Sequence, residues 1–226
     1  MEGSLVEHVG NLECKADRSL HSPTPGTASA QVEMEDNHLE RAPDALICFS
    51  HLRWHFVYQR PQHLMARFAR TLRVFFFEEP IEGDAAEPAL ELHHTDAGVV
   101  VAVPRLPRGL DEAGQIAAQR ALLDRLCREQ GITAPLLWYY TPMSLPFSDH
   151  LASATVVYDC MDELSAFKGA PPELIERERT LLSKADLVFT GGYSLWEAKR
   201  SLHANAHPFP SSVDVAHFAQ ARTGMA

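Results

Sequence analysis

Thr155-Val156-Val157-Tyr158-Asp159-Cys160-Met161-Asp162-Glu163 and, one helical stretch later, Asp186-Leu187-Val188-Phe189-Thr190-Gly191-Gly192 decide the fold of this chain. Each begins as a short apolar, β-branched run and ends abruptly in acidic residues or glycines. Between them, Pro171 and Pro172 open a helical pattern that runs to about Lys184, with Leu174, Ile175, Leu181 and Leu182 on one face. After the second run, Ser194 and Glu197 stand at the three-residue spacing of a capping box ahead of a second helix. Pro208-Phe209-Pro210-Ser211-Ser212-Val213-Asp214 closes the unit. Strand, helix, strand, helix, strand at this pitch predicts a parallel sheet with right-handed crossovers, a doubly wound α/β fold. Such sheets bind ligands beyond the carboxyl ends of their strands. Here those ends carry Asp159, Asp162, Glu163, Gly191, Gly192, Ser211 and Ser212.

The same pattern extends toward the N-terminus. Ala45–Ser50 reads as a central strand, apolar throughout. His51–Tyr58 forms a loop, and Pro61 opens a helix to about Thr71, because its missing N–H has no helical partner at that position. Val74–Phe77 is a second strand ending at Glu78-Glu79-Pro80. Ala89–His93 and Val99–Val103, with Asp96-Ala97-Gly98 between them, predict an edge hairpin. Asp111–Gln130 is a long helix stopped by Gly131, and Leu136–Tyr140 is the next strand. Residues 1–42 lack any sustained period and read as a disordered tail. The domain is expected to span residues 43–218, with residues 219–226 beyond it.

The chain has 226 residues, 46% of them hydrophobic and 22% charged, as in an ordinary globular protein. A net charge of −10 argues against nucleic acid as a partner. Cys14, Cys48, Cys127 and Cys160 are scattered without metal or redox spacing, which suits buried thiols in a reducing cytoplasm. No GxGxxG motif follows Ser50 and no phosphate-binding loop occurs, so the sequence announces neither a dinucleotide nor ATP.

Several clusters carry chemistry, each with a plainer alternative. From His51 to Val74 there are five arginines and no acidic residue. They can serve phosphate or an anionic lipid surface, or form a solvated helix face; Arg67 and Arg70 suit the solvated face, while Arg60 and His51 lie nearer the strand end. Asp159, Asp162 and Glu163 suit a general base or an acceptor of sugar hydroxyls, or else a capped turn. No metal-ligand spacing accompanies them. Gly191-Gly192 offers backbone N–H groups to an anion, or is only a tight turn. Trp138, Tyr139 and Tyr140 offer a stacking surface, although strand alternation sends at least one of them into the core.

Cys48–Trp54, Gln59–Leu64, Val157–Glu163 and Ala185–Thr190, taken together, resemble the N-terminal domain of bacterial GT-B glycosyltransferases of the family 4 type. The resemblance covers residues 44 to 218. It implies a Rossmann-like domain, the acceptor-side half of an enzyme that moves a sugar from a nucleotide-sugar to a hydroxyl of a polysaccharide or glycolipid acceptor. The candidate catalytic residues in this chain are Asp159, Asp162, Glu163 and His51, and the candidate substrate-binding residues are Arg60, Trp54, Tyr140, Gly191, Gly192 and Ser211. The nucleotide-sugar is a co-substrate, and no cofactor or metal is implied. The implied partners are the acceptor, a C-terminal donor-binding domain of on the order of 150 further residues, and a peripheral membrane surface. Two departures stand out. Ser211-Ser212 replaces the usual Asn-Gly, and the strand ending Tyr139-Tyr140-Thr141 lacks the acidic residue or histidine often found there. A non-catalytic binding module and a nucleotide-sugar epimerase fragment share the architecture and remain alternatives.

Overall fold

Nine strands form one sheet in the computed structural model, which describes residues 42–212 together with Val215 and Ala219. In chain order the elements are β1 (Leu46–Ser50), α1 (Arg60–Phe68), β2 (Val74–Glu78), β3 (Ile81–Gly83), β4 (Ala89–His94), β5 (Val99–Pro107), α2 (Glu112–Gln130), β6 (Leu136–Tyr139), α3 (Leu145–Ser148), β7 (Thr155–Cys160), α4 (Leu174–Lys184), β8 (Leu187–Thr190), α5 (Tyr193–Lys199) and β9 (Ala206–Pro208). The order across the sheet is β3-β5-β2-β1-β6-β7-β8-β9, and β4 pairs antiparallel with β5. All other pairings are parallel. The expected α/β class, the central strand and the edge hairpin are all present. The tail expected over residues 1–42 lies, apart from Ala42, outside the described residues, as does most of the segment after Ser212.

The chain moves outward from β1 to β2 and β5, then crosses to the other side of β1 and continues through β6, β7, β8 and β9. The strand order therefore reverses between β1 and β6. At such a reversal the loops leaving the two strands diverge to opposite faces and leave a crevice at their carboxyl ends. That crevice is bounded by His51, Tyr140 and their neighbours.

Alternation along the strands divides the core in two. Ile47, Phe49, Phe75, Phe77, Tyr139 and Tyr158 point to the face covered by Leu123 and Leu126 of α2, Leu145 and Phe147 of α3, and Leu181 and Leu182 of α4. Leu46, Cys48, Phe76, Trp138, Tyr140 and Val157 point to the other face, where Met65, Leu64 and Phe68 of α1 pack. Both faces of β1 are thus covered, which explains its unbroken apolar sequence.

The helix ends follow partly different rules from those the sequence suggested. The Asp111 side chain caps α2 through the Gly114 N–H at 2.8 Å, and Gly131 closes that helix in the left-handed conformation, φ 61°. The capping box expected at Ser194–Glu197 does not form. Gly192 is the cap residue of α5, and Ser194 already lies inside the helix. A glutamine reciprocates instead at α1: Gln62 Oε1 accepts from the Gln59 N–H at 3.1 Å, while its Nε2 reaches the Trp54 carbonyl at 3.1 Å.

Candidate functional site

Three strand ends meet at the reversal. His51 follows β1, Tyr140 follows β6, and Asp162 lies two residues beyond β7. His51 is half-buried, and its Nδ1 is enclosed without a hydrogen-bond partner. Burial lowers its pKa from the ordinary histidine value. The Asp162 carboxylate and the Tyr140 backbone favour the protonated ring, but more weakly. Burial therefore favours the neutral ring, the form that can accept a proton. Asp162 is exposed, so its charge acts across a solvated mouth.

The loop after β1 is held firmly behind this histidine. Arg53 donates to Glu78 Oε2 at 2.9 Å, to the Glu79 carbonyl and to the Pro80 carbonyl. The Trp54 N–H donates to Glu78 Oε1 at 2.7 Å, and the buried indole packs edge-on against Phe76. Beside these groups, at the carboxyl end of β2, lies a cavity of about 310 Å³ lined by Glu79, Gln115, Gln119, Ser144, Phe147 and Arg177 among others. Burial raises the pKa of Glu79, with Arg53 opposing the shift. The sequence reading missed this cavity because its walls come from β2, α2, the turn after β6 and α4. Only the paired Glu78-Glu79 at a strand end hinted at it.

Arg60 and Asp159 are brought together in the interior. Arg60 is 8% exposed and Asp159 0%. The guanidinium Nε donates to both carboxylate oxygens at 3.1 and 3.0 Å, and Nη2 donates to Oδ1 at 2.8 Å. Nη1 donates to the Phe209 carbonyl, and the guanidinium also sits 5.3 Å from the centre of the Phe209 ring. Burial raises the Asp159 pKa against the opposing effect of Arg60. Trp138 Nε1 and Tyr140 Oη lie near the same carboxylate but outside hydrogen-bond geometry. This pair corrects two expectations. Asp159 is closed off from the crevice rather than presented to it as a base. Arg60 is a buried ion-pair partner rather than a cation free to meet a substrate phosphate.

Glu163 is likewise engaged. The buried Lys199 ammonium lies 3.0 Å from Glu163 and 2.8 Å from Glu178, and Tyr158 Oη donates to Glu178 at 2.8 Å. Glu163 has a lowered pKa: burial acts to raise it, but the hydrogen bonds from Lys199 and Ser165 prevail. Trp54 and Tyr140, expected to contact substrate, are core side chains, both packed in the cluster on the α1 face of the sheet. Gly191 is where the chain passes so close to β7 that a Cβ would stand 2.3 Å from the Met161 carbonyl oxygen. That close approach gives Gly191 a structural reason, while Gly192 is the extended cap of α5. Ser211 is exposed. With Ser212, Phe209, Arg60, His63 and Arg67 it lines a second cavity, of about 250 Å³, between α1 and the segment after β9. Among the described residues, no three His, Cys, Asp or Glu side chains are placed to hold a metal ion.

The fold is a Rossmann-like, doubly wound α/β domain of the GT-B type. Comparison with solved structures finds sucrose-phosphate synthase from Thermosynechococcus elongatus, with a TM-score of 0.52, 11% identity, and coverage of 80% of this chain and 53% of that one. It also finds the UDP-forming alpha,alpha-trehalose-phosphate synthases of Burkholderia xenovorans, in complex with glucose-6-phosphate, and of Burkholderia vietnamiensis. Both have a TM-score of 0.51 and 13% identity; each match covers 80% of this chain, and 53% and 50% of theirs. The chain thus spans about half the length of the structures it matches. No family model and no curated protein matches it.

Proposed function

We propose that this chain is the acceptor-side half of a glycosyltransferase, of the family 4 type that its motifs resemble. The complete enzyme moves a sugar from a nucleotide-sugar donor to a hydroxyl of a polysaccharide or glycolipid acceptor. The observation that carries this reading is the placement of His51 at the reversal of strand order, its Nδ1 enclosed and unpartnered, with burial lowering its pKa and the Asp162 charge opposing that from the mouth. The likeness to half of three sugar-transferring synthases supports it, and so does the polar cavity at the same edge of the sheet.

In the proposed reaction the acceptor hydroxyl oxygen bonds to the donor's anomeric carbon. The bond from that carbon to the diphosphate breaks, and its electron pair leaves with the diphosphate. The hydroxyl proton passes to the His51 imidazole, which Asp162 then stabilises as a cation. Glu79, Gln115 and Ser144 offer hydrogen-bonding groups of the kind that hold sugar hydroxyls. Asp159, Arg60, Glu163 and Lys199 position the surrounding loops rather than touch substrate. The donor is held by a partner domain, and Gly191, Gly192 and Ser211 border the approach to it. The buried thiols of Cys48, Cys127 and Cys160 suit a reducing, cytoplasmic setting.

The test is sugar transfer by this chain combined with its donor-binding half, using defined nucleotide-sugars. Turnover is expected from the combination and not from the 226-residue chain. His51→Gln should lower kcat by on the order of a hundredfold, the scale of a lost general base. Robust transfer by the chain alone, or full activity of His51→Gln, overturns the reading.

A further inference from the structure

The sheet ends beyond β5 in β4. Arg105 of β5 pairs with Ile81 of β3 on one side and with Ala89 of β4 on the other, and among the described residues no further strand pairs with β4. Its far edge therefore presents unpaired main-chain groups, a template for another strand. Natural edges are commonly blunted by shortness, proline, lysine or a bulge. The opposite edge strand, β9, is three residues long and ends at Pro208. β4 is six residues long, Ala89-Leu90-Glu91-Leu92-His93-His94, without proline or lysine, and its register with β5 is unbroken. Leu92 is 37% exposed, and Ala89, His93 and His94 are exposed as well.

The ladder fixes which groups face outward. The Thr95 N–H donates to the Val99 carbonyl at 3.0 Å, so these two residues form a hydrogen-bonded pair. Such pairs alternate with non-hydrogen-bonded ones along an antiparallel ladder. Ala89, Glu91 and His93 therefore bond to β5, while the N–H and C=O of Leu90, Leu92 and His94 point away from it. Leu90 stands opposite Pro104, which has no N–H to give, and this agrees with the assignment.

The sequence of β4 complements itself in one register. With a second copy antiparallel and Leu92 opposite Leu92, Leu90 of each copy meets His94 of the other. Each of these pairs exchanges main-chain hydrogen bonds from its outward groups. Between them, Glu91 of each copy lies opposite His93 of the other, at the closer, non-hydrogen-bonded positions. Arg105 already holds the Glu91 carboxylate on that face at 2.8 Å. A slip of one residue sets outward groups against inward ones. A slip of two, in either direction, opposes Glu91 to Glu91 or His93 to His93. The net charge of −10 resists the meeting of two copies, but on β4 a single glutamate stands with two histidines beside Arg105.

We infer that β4 is a self-association edge: two copies of this chain pair β4 to β4, antiparallel about Leu92, and join their sheets. The inference is independent of sugar transfer.

Sedimentation equilibrium of the 226-residue protein tests it. A dimer is expected, with a Kd no weaker than about 100 μM. The Leu90, Leu92 and His94 amides should gain protection from hydrogen exchange as the protein concentration rises. Leu92→Pro removes an outward N–H without removing a bond to β5, so it should abolish the dimer, with thermal melting confirming an intact fold. His93→Glu, at an exposed side chain, sets like charges opposite at both symmetry-related positions and should weaken the dimer by about tenfold. Leu202→Ser, an exposed apolar residue after α5, should leave association unchanged. Three results overturn the inference: a monomer at all concentrations up to about 100 μM, a dimer that survives both β4 variants, or protection of those three amides in the monomer. The last would mark the edge as covered by another segment of the same chain.

Discussion

At the scale of single residues, the most deeply buried ion pair among the described residues joins Arg60 and Asp159. Two charges out of contact with water are stable only because each offsets the other's desolvation, and removing one partner leaves the other unmatched. Arg60→Met should therefore cost about 3–5 kcal/mol, read from chemical denaturation, whereas Arg60→Met with Asp159→Leu should recover much of that loss. A small effect of the single substitution would mean that Asp159 takes a proton when its partner is gone. His51 makes a second, pH-dependent prediction. Its folded pKa is lowered, so the folded state disfavours the proton. Stability is then fully present above the unfolded value near 6.5 and is lost as pH falls through the lower folded value. Melting temperatures between neutral pH and about pH 5 should fall less steeply in His51→Asn than in the parent.

At the scale of elements, the sequence was most readable where one rule acted alone. Apolar runs marked β1, β2, β6, β7 and β8, since a strand covered on both faces has nowhere to place a polar side chain. Gly131 marked the end of α2 for a purely local reason. Reading failed where partners are distant. Arg60 looked free to bind phosphate or substrate because Asp159 lies 99 residues away. Ser194 and Glu197 had capping-box spacing, but the turn before α5 is set by the close passage of Gly191 over Met161, and the helix is capped two residues earlier, at Gly192. That passage is itself testable. In Gly191→Ala the new methyl meets a backbone oxygen that cannot rotate away, so a loss of about 1–3 kcal/mol is expected in denaturant midpoints. Lys199 gives α5 its other anchor. Its raised pKa contributes stability that is present below the unfolded lysine value and lost as pH rises through the folded one. Glu163, with a lowered pKa, contributes above the unfolded carboxylate value and loses its contribution as pH falls through the folded one. Lys199→Met should remove both limbs from the pH–stability profile and leave Glu178 beside buried apolar groups without its cation.

At the scale of the whole molecule, the candidate site is a product of topology. His51, Tyr140 and Asp162 are far apart in sequence and meet only because strand order reverses between β1 and β6. The carboxylates that cluster in sequence, Asp159, Asp162 and Glu163, are separated by the fold: one enters the α1-side core, one stays at the mouth, and one turns to Lys199. This separation yields a discriminating prediction for the enzyme completed with its donor-binding half. If His51 takes the acceptor proton and Asp162 supports the resulting cation, Asp162→Asn should lower kcat more than it raises KM and leave melting unchanged, because the side chain is exposed. The acid limb of the kcat/KM profile reports the free-enzyme pKa of the base and should move down, since an attractive charge beside His51 has been removed. Asp159→Asn should behave oppositely. It should lower the melting temperature, and at temperatures where the variant remains folded it should leave the acid limb in place. An unmoved acid limb in Asp162→Asn, together with a moved one in Asp159→Asn, would transfer the base assignment from the crevice to the buried pair and reverse the division of roles among the three carboxylates.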